Sequence, residues 1–144
     1  MYSFKSIVFN FFINREKFDF SQYCDYIFCM GFVYLINIER TDLYKIGITR
    51  KTVEERMKSL QTGNPLTLTL VEKYESKIYQ KIETIIHRML KHKKYIPEDF
   101  DTLKGEWFQL TLFEALEFTK MCNQIEESIN YLKEHSTLDV TKFL

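Results

Sequence analysis

The sequence predicts an α/β (α+β) domain, and three observations lead there. In "GFVYLINIERTDLYKIGIT", Gly31 to Thr49, two short apolar runs flank a polar patch, the pattern of a β-hairpin. "LTLTLVEKY", Leu66 to Tyr74, alternates with a period of two and reads as a strand. Val53, Met57 and Leu60, and then Ile78, Ile82, Ile85, Ile86 and Met89, recur at helical spacing. At 144 residues the chain is long enough to bury a real core. Its 45% hydrophobic and 16% aromatic content argues against disorder.

The elements follow in order. Residues 1–29 form an aromatic-rich extension without glycine or proline, in which Ile7, Val8, Phe11 and Phe12 have the spacing of a short helix. The hairpin comes next. A four-residue loop at Glu39 to Asp42 sets Ile38 against Leu43, Ile36 against Lys45 and Tyr34 against Gly47. Tyr34, Ile36, Ile38, Leu43, Lys45 and Gly47 then share one face. Val33, Leu35, Asn37, Tyr44, Ile46 and Ile48 share the other, which carries no charge and is expected to be the core face. A glycine inside a strand marks either a bulge or close approach by a ligand or another backbone, so Gly47 leaves room beside the Tyr34 phenol.

Thr52 with Glu55 three residues on is a capping box that starts a helix, and Gly63-Asn64-Pro65 ends it. After the strand at 66–74, a helix is expected over Lys77 to His92. Tyr79, Glu83 and His87 run along one edge of its apolar arc. "EWFQL" reads as a short strand. "TLFEALEFTKMCNQIEESINYLKE" reads as one amphipathic helix with Leu112, Leu116, Met121, Ile125 and Ile129 on its buried side. The expected division is an extension over 1–29, a central domain over 30–112, and a C-terminal helix over 113–144 packed on that domain.

The net charge is zero, but it is unevenly distributed. From Lys77 to Lys94 there are six Lys or Arg and one acid, Glu83, whereas from Glu98 onward there are ten acids and four Lys or Arg. A basic segment on a neutral chain points to a local anionic partner or to a solvated helix face. Cys24, Cys29 and Cys122 form no CxxC pair and read as free thiols. The longest charge-free stretches, Tyr26 to Ile38 and Ser59 to Val71, fall short of the roughly 20 residues that cross a bilayer. No membrane association is expected, and a soluble intracellular protein is.

These residues carry a resemblance. "VYLI", "YKIGIT", an arginine seven residues after that threonine, a glutamate on the next long helix and a late "GEWF" resemble the GIY-YIG nuclease superfamily, in particular its phage- and virus-borne branch with a "KIG" second half-motif. The resemblance spans roughly Gly31 to Leu112. It implies a compact domain with a small antiparallel three-stranded sheet flanked by helices, and metal-dependent hydrolysis of DNA phosphodiester bonds. By position, Tyr34 matches the tyrosine of the first half-motif, and Lys45 stands where the second tyrosine usually sits. Arg56 matches the catalytic arginine and Glu83 the single metal-binding carboxylate. His87 and Glu106 lie where this branch keeps polar residues.

The chemistry suits those residue types. One carboxylate can hold Mg²⁺ (or Mn²⁺) while the ion keeps several waters. Arg56 offers a planar fork to two phosphate oxygens. A phenol becomes a base only when a nearby cation lowers its pKa from about 10, and Lys45 is the candidate cation beside Tyr34. His87 is the rival base. Lys77, Lys81, Arg88 and Lys91, with Lys93 and Lys94, are the candidate DNA-backbone contacts. No DNA-reading module such as a zinc finger is visible, so a homodimer or a protein partner through residues 1–29 is a further expectation. Two other readings stand beside the nuclease: an inactive nucleic-acid-binding module of the same fold, and a protein-interaction domain.

Overall fold

The computed structural model describes residues 30–97 and 105–140. The expected helix at Ile7 to Phe12, the rest of the extension over 1–29, and Cys24 and Cys29 lie outside them. The hairpin forms as its pattern dictates. β1 (Gly31–Ile38) and β2 (Leu43–Thr49) pair antiparallel, with Tyr34 opposite Gly47 and Ile36 opposite Lys45. Asn37 explains how the turn closes: its side-chain amide donates to the carbonyls of Thr41 and Leu43, both at 3.0 Å. Helix α1 (Val53–Thr62) starts where the Thr52 hydroxyl accepts from the Glu55 N–H at 3.3 Å, and it stops at Gly63. The Gln61 side chain then bonds Leu66 O and Leu68 N, tying the end of α1 to the start of β3 (Leu68–Ser76).

Helix α2 (Tyr79–Met89) is followed by a 3₁₀ turn over Lys91–Lys93. A two-residue strand β4 (Phe108–Gln109), a one-turn helix α3 (Leu112–Leu116) and the long helix α4 (Phe118–Val140) complete the described chain. The sheet has four strands in the order β3-β1-β2-β4, all antiparallel, where three were expected. The additional strand is the "EWFQL" segment. It pairs with β2 only at Leu43 and Tyr44, so beyond Tyr44 the outer edge of β2 has no strand partner among the described residues.

Both sheet faces are buried, which corrects the expectation of one core face. Val33, Leu35, Tyr44 and Ile46 pack against Ile82, Ile85 and Ile86 of α2 and against Phe118, Cys122, Ile125 and Ile129 of α4. On the opposite face Tyr34, Ile36 and Ile38 form a second core with Val53 of α1, Leu68 and Trp107. Lys45 and Lys73 bring charge to this second face, and Lys73 pairs with Glu54 of α1, which covers it. Helices flanking both faces allow a small sheet to bury nearly continuous apolar strands.

The C-terminal segment is two helices where one was expected. Thr111 and Glu114 form a reciprocal capping box that starts α3, and the chain bends at Glu117. The bend turns Leu112, Phe113 and Leu116 outward, at 69%, 72% and 62% exposure, and brings Ala115 and Phe118 in. Leu112 and Leu116 are therefore not on the buried side. Glu126 anchors α4 to β3 by accepting from Tyr74 Oη at 2.5 Å and Ser76 Oγ at 2.7 Å. Burial and the Glu126 carboxylate push the Tyr74 pKa up. Among the described residues no helix is long and apolar enough to cross a membrane.

Candidate active site at the open edge of the hairpin

An unpaired strand edge exposes a row of backbone donors and acceptors that proteins normally protect. Here α2 protects it with a side chain. His87 sets Nε2 at 2.9 Å from Ile46 O, where a neighbouring strand would have placed an N–H. Its other nitrogen, Nδ1, lies 2.6 Å from Glu106 Oε2, and Lys94 Nζ donates to Glu106 Oε1 at 2.9 Å. Glu83, one helical turn before His87, has Oε1 at 3.4 Å from Nε2. The His87 ring stands edge-on to Phe108, with centroids 5.0 Å apart.

The electrostatics follow from partial burial. Burial pushes the Glu83 carboxyl up from its ordinary pKa, His87 opposes that shift, and Glu106 adds to it. Glu106 itself is pulled down, by the hydrogen bonds from Lys94 and His87. A backbone carbonyl can only accept, and so can an ionised carboxylate. His87 Nε2 therefore donates to Ile46 O, and Nδ1 faces the Glu106 carboxylate, so the ring is placed to orient Glu106.

Around the same edge, on the other sheet face, stands Lys45. Its Nζ lies 5.5 Å from the centre of the Trp107 ring. Burial lowers its pKa, the Arg56 guanidinium lowers it further, and Glu106 acts in the opposite sense. Glu106 is thus felt by Lys45 on one side and by Glu83 on the other. Arg56 in turn directs its Nε to the Tyr34 hydroxyl at 3.4 Å.

Tyr34 is 1% exposed. A Cβ at Gly47 would lie 2.3 Å from its hydroxyl oxygen and 2.5 Å from Cζ. The glycine does make room for the phenol, but the phenol fills that room itself, so it is not an open approach for substrate. Gly31 has the same explanation: the Tyr79 ring lies over it, with 2.5 Å from a hypothetical Cβ to two ring carbons. The Tyr79 hydroxyl accepts from Arg50 Nε at 2.9 Å. Arg50, Lys51, Glu55 and Arg56 line an open cleft with Thr49, beside the end of β2.

Tyr34, Lys45, Arg56, Glu83 and His87 are therefore brought together along one line around the strand edge, with Glu106 at its centre. Glu106 is the residue whose weight the sequence understates. The late "GEWF" is its only local signal, and its partners lie on other elements.

The basic segment is dispersed instead. Lys77, Arg88 and Lys91 are exposed. The Lys81 nitrogen is buried, which removes it from any phosphate surface. Burial and the neighbouring Lys133 depress its pKa to about 7. Lys93 pairs with Glu114 and Lys94 with Glu106.

No group of three or more His, Cys, Asp or Glu among the described residues is placed to hold a metal ion. What the donor set does offer is a half-buried carboxyl, Glu83, whose charge is disfavoured by burial and by a second carboxylate. A divalent cation would compensate that charge, and Mg²⁺ needs only one or two protein carboxylates because it keeps its waters.

Comparison with curated proteins finds no match, and comparison with solved structures finds none. The T5orf172 domain matches residues 31–123, from the first residue of β1 into α4, and the chain belongs to the T5orf172 domain family.

Proposed function

We propose that this protein is a metal-dependent endonuclease that hydrolyses DNA phosphodiester bonds, of the GIY-YIG type its motifs resemble. One observation carries the reading. Lys45, Arg56, Glu83 and His87, all half-buried, and the exposed Glu106, from four separate segments, line one open strand edge with groups of both charges. Burying charge is costly, and folds concentrate such perturbed groups where chemistry needs them. Burial moves both Lys45 and Glu83 toward their neutral forms.

Each side chain has a role. Arg56, held at its Nε by Tyr34, offers its fork to the non-bridging oxygens of the scissile phosphate. Lys45, less basic than a free lysine, adds positive charge at the phosphate and can pass a proton to the leaving oxygen. His87 and Lys94 orient Glu106. Glu83 would hold Mg²⁺ or Mn²⁺. When bound, such an ion supplies Lewis-acid stabilisation of charge on the phosphate and the leaving oxygen.

The test is nicking of supercoiled plasmid with Mg²⁺ and with chelator. Nicking should require the metal, and Glu83→Gln should abolish it while leaving affinity for a labelled duplex intact. Full activity of Glu83→Gln in Mg²⁺ would overturn the metal role. DNA binding by a wild-type protein that never nicks would favour the inactive binding module instead.

A further inference from the structure

Two tyrosines hold arginines of the same cleft in the same way. Tyr34 lies against Gly47 and holds Arg56 Nε; Tyr79 lies against Gly31 and holds Arg50 Nε. Both arginines line the cleft beside the end of β2, with Lys51 adjacent and Glu55 as the opposing acid. Both hydroxyls belong to rings that are almost fully enclosed, so each arginine is fixed at its Nε by a rigid anchor. Burying a tyrosine normally requires its hydroxyl to find a partner. Here both partners are cations at one surface, the arrangement of a site pre-organised for anions.

We infer that Arg50 is a second phosphate-binding residue, placed by Tyr79, and that the cleft takes two phosphates of one DNA strand: the scissile one at Arg56 and a neighbour at Arg50. The inference rests on the endonuclease reading and extends it to how the strand is gripped. A planar guanidinium anchored through Nε presents its Nη groups in a fixed direction, which suits a bidentate grip on phosphate. Tyr79 is then a positioning residue, since it touches the arginine and not the DNA.

The experiment is a fluorescence-anisotropy titration of a labelled 20-base-pair duplex, in chelator, at several salt concentrations. Log affinity falls with log salt at about −0.9 per neutralised phosphate. Arg50→Gln should therefore make the slope shallower by about 0.9. Tyr79→Phe keeps the ring against Gly31 and loses only the hydroxyl. It should weaken binding about 3- to 10-fold, as expected for one hydrogen bond, and should have no effect when added to Arg50→Gln. A wild-type slope in Arg50→Gln overturns the inference, and so does a Tyr79→Phe effect that persists in that background. If wild-type protein binds no duplex at all, the endonuclease reading itself fails, and the second phosphate with it.

Discussion

Consider Gly47→Ala. By strand propensity alone, replacing a strand glycine is favourable. The structure reverses that sign. The added methyl would lie 2.3 Å from Tyr34 Oη, and ordinary contact begins near 3.4 Å, so the phenol must retreat by about 1 Å (3.4 − 2.3). Its ring is among the largest fully buried side chains and sits in the second core with Val53 and Trp107. Overpacking of this kind costs about 1–3 kcal/mol. At about 4 °C per kcal/mol for a chain of this length, Tm should fall by about 4–12 °C. The hydroxyl also carries Arg56, and a 1 Å displacement of a group that positions substrate costs about 10²-fold in rate. Circular-dichroism melts and plasmid nicking measure the two effects separately. Gly47→Ala combined with Tyr34→Leu should recover stability without recovering the rate. Tyr34→Phe alone should lower the rate with little change in Tm. A Gly47→Ala protein that melts and nicks like wild type would refute the packing argument and the link from Tyr34 to Arg56 together.

Three further outcomes are expected. Arg56→Lys keeps the charge but loses the fork, so the nicking rate should fall by about 10²-fold at unchanged Tm, as for loss of one charge-stabilising donor. Phe118→Ala, at the core side of the bend after α3, should cost about 3–5 kcal/mol in denaturant melts, whereas Leu116→Ser, which faces solvent, should stay within about 0.5 kcal/mol. Burial pushes the Cys122 thiol up to about 12. The folded state thus retains that proton between the ordinary thiol value and about 12, and peptide mass mapping should find Cys122 resistant to iodoacetamide at pH 8.5 in native protein and alkylated in urea.

Local pattern was enough to determine much of this protein. The hairpin register followed from period-two alternation and loop length, because a one-residue slip would move every side chain to the wrong face. The start of α1 followed from Thr52, whose hydroxyl satisfies an end-of-helix N–H, and its end from the Gly63 turn. The apolar arc of α2 followed from helical spacing alone. Tyr34, Lys45, Arg56, Glu83 and His87 were singled out by the order of motifs in the resemblance, and the structure brings them near one another.

What tertiary structure decided depends on which surfaces meet. Helical periodicity over 111–134 reads as one helix, and only the capping box at Thr111 with the bend at Glu117 turns Leu112 and Leu116 outward. "EWFQL" reads as a strand in sequence, but its place as a fourth strand of the sheet turned on a two-residue pairing of Phe108 and Gln109 with Tyr44 and Leu43, which no local pattern specifies. The burial of both sheet faces depended on where α1 docks, and so Tyr34 became a core residue that anchors Arg56. Lys81 lost its place on a basic surface because packing buries its nitrogen, with Lys133 of α4 nearby. Glu106 became the centre of the site because Lys94, His87, Glu83 and Lys45 approach it from three other segments. Secondary structure is written in spacings of two to four residues, whereas burial and charge coupling are set by neighbours tens of residues away, and those distances exist only once the layers have packed.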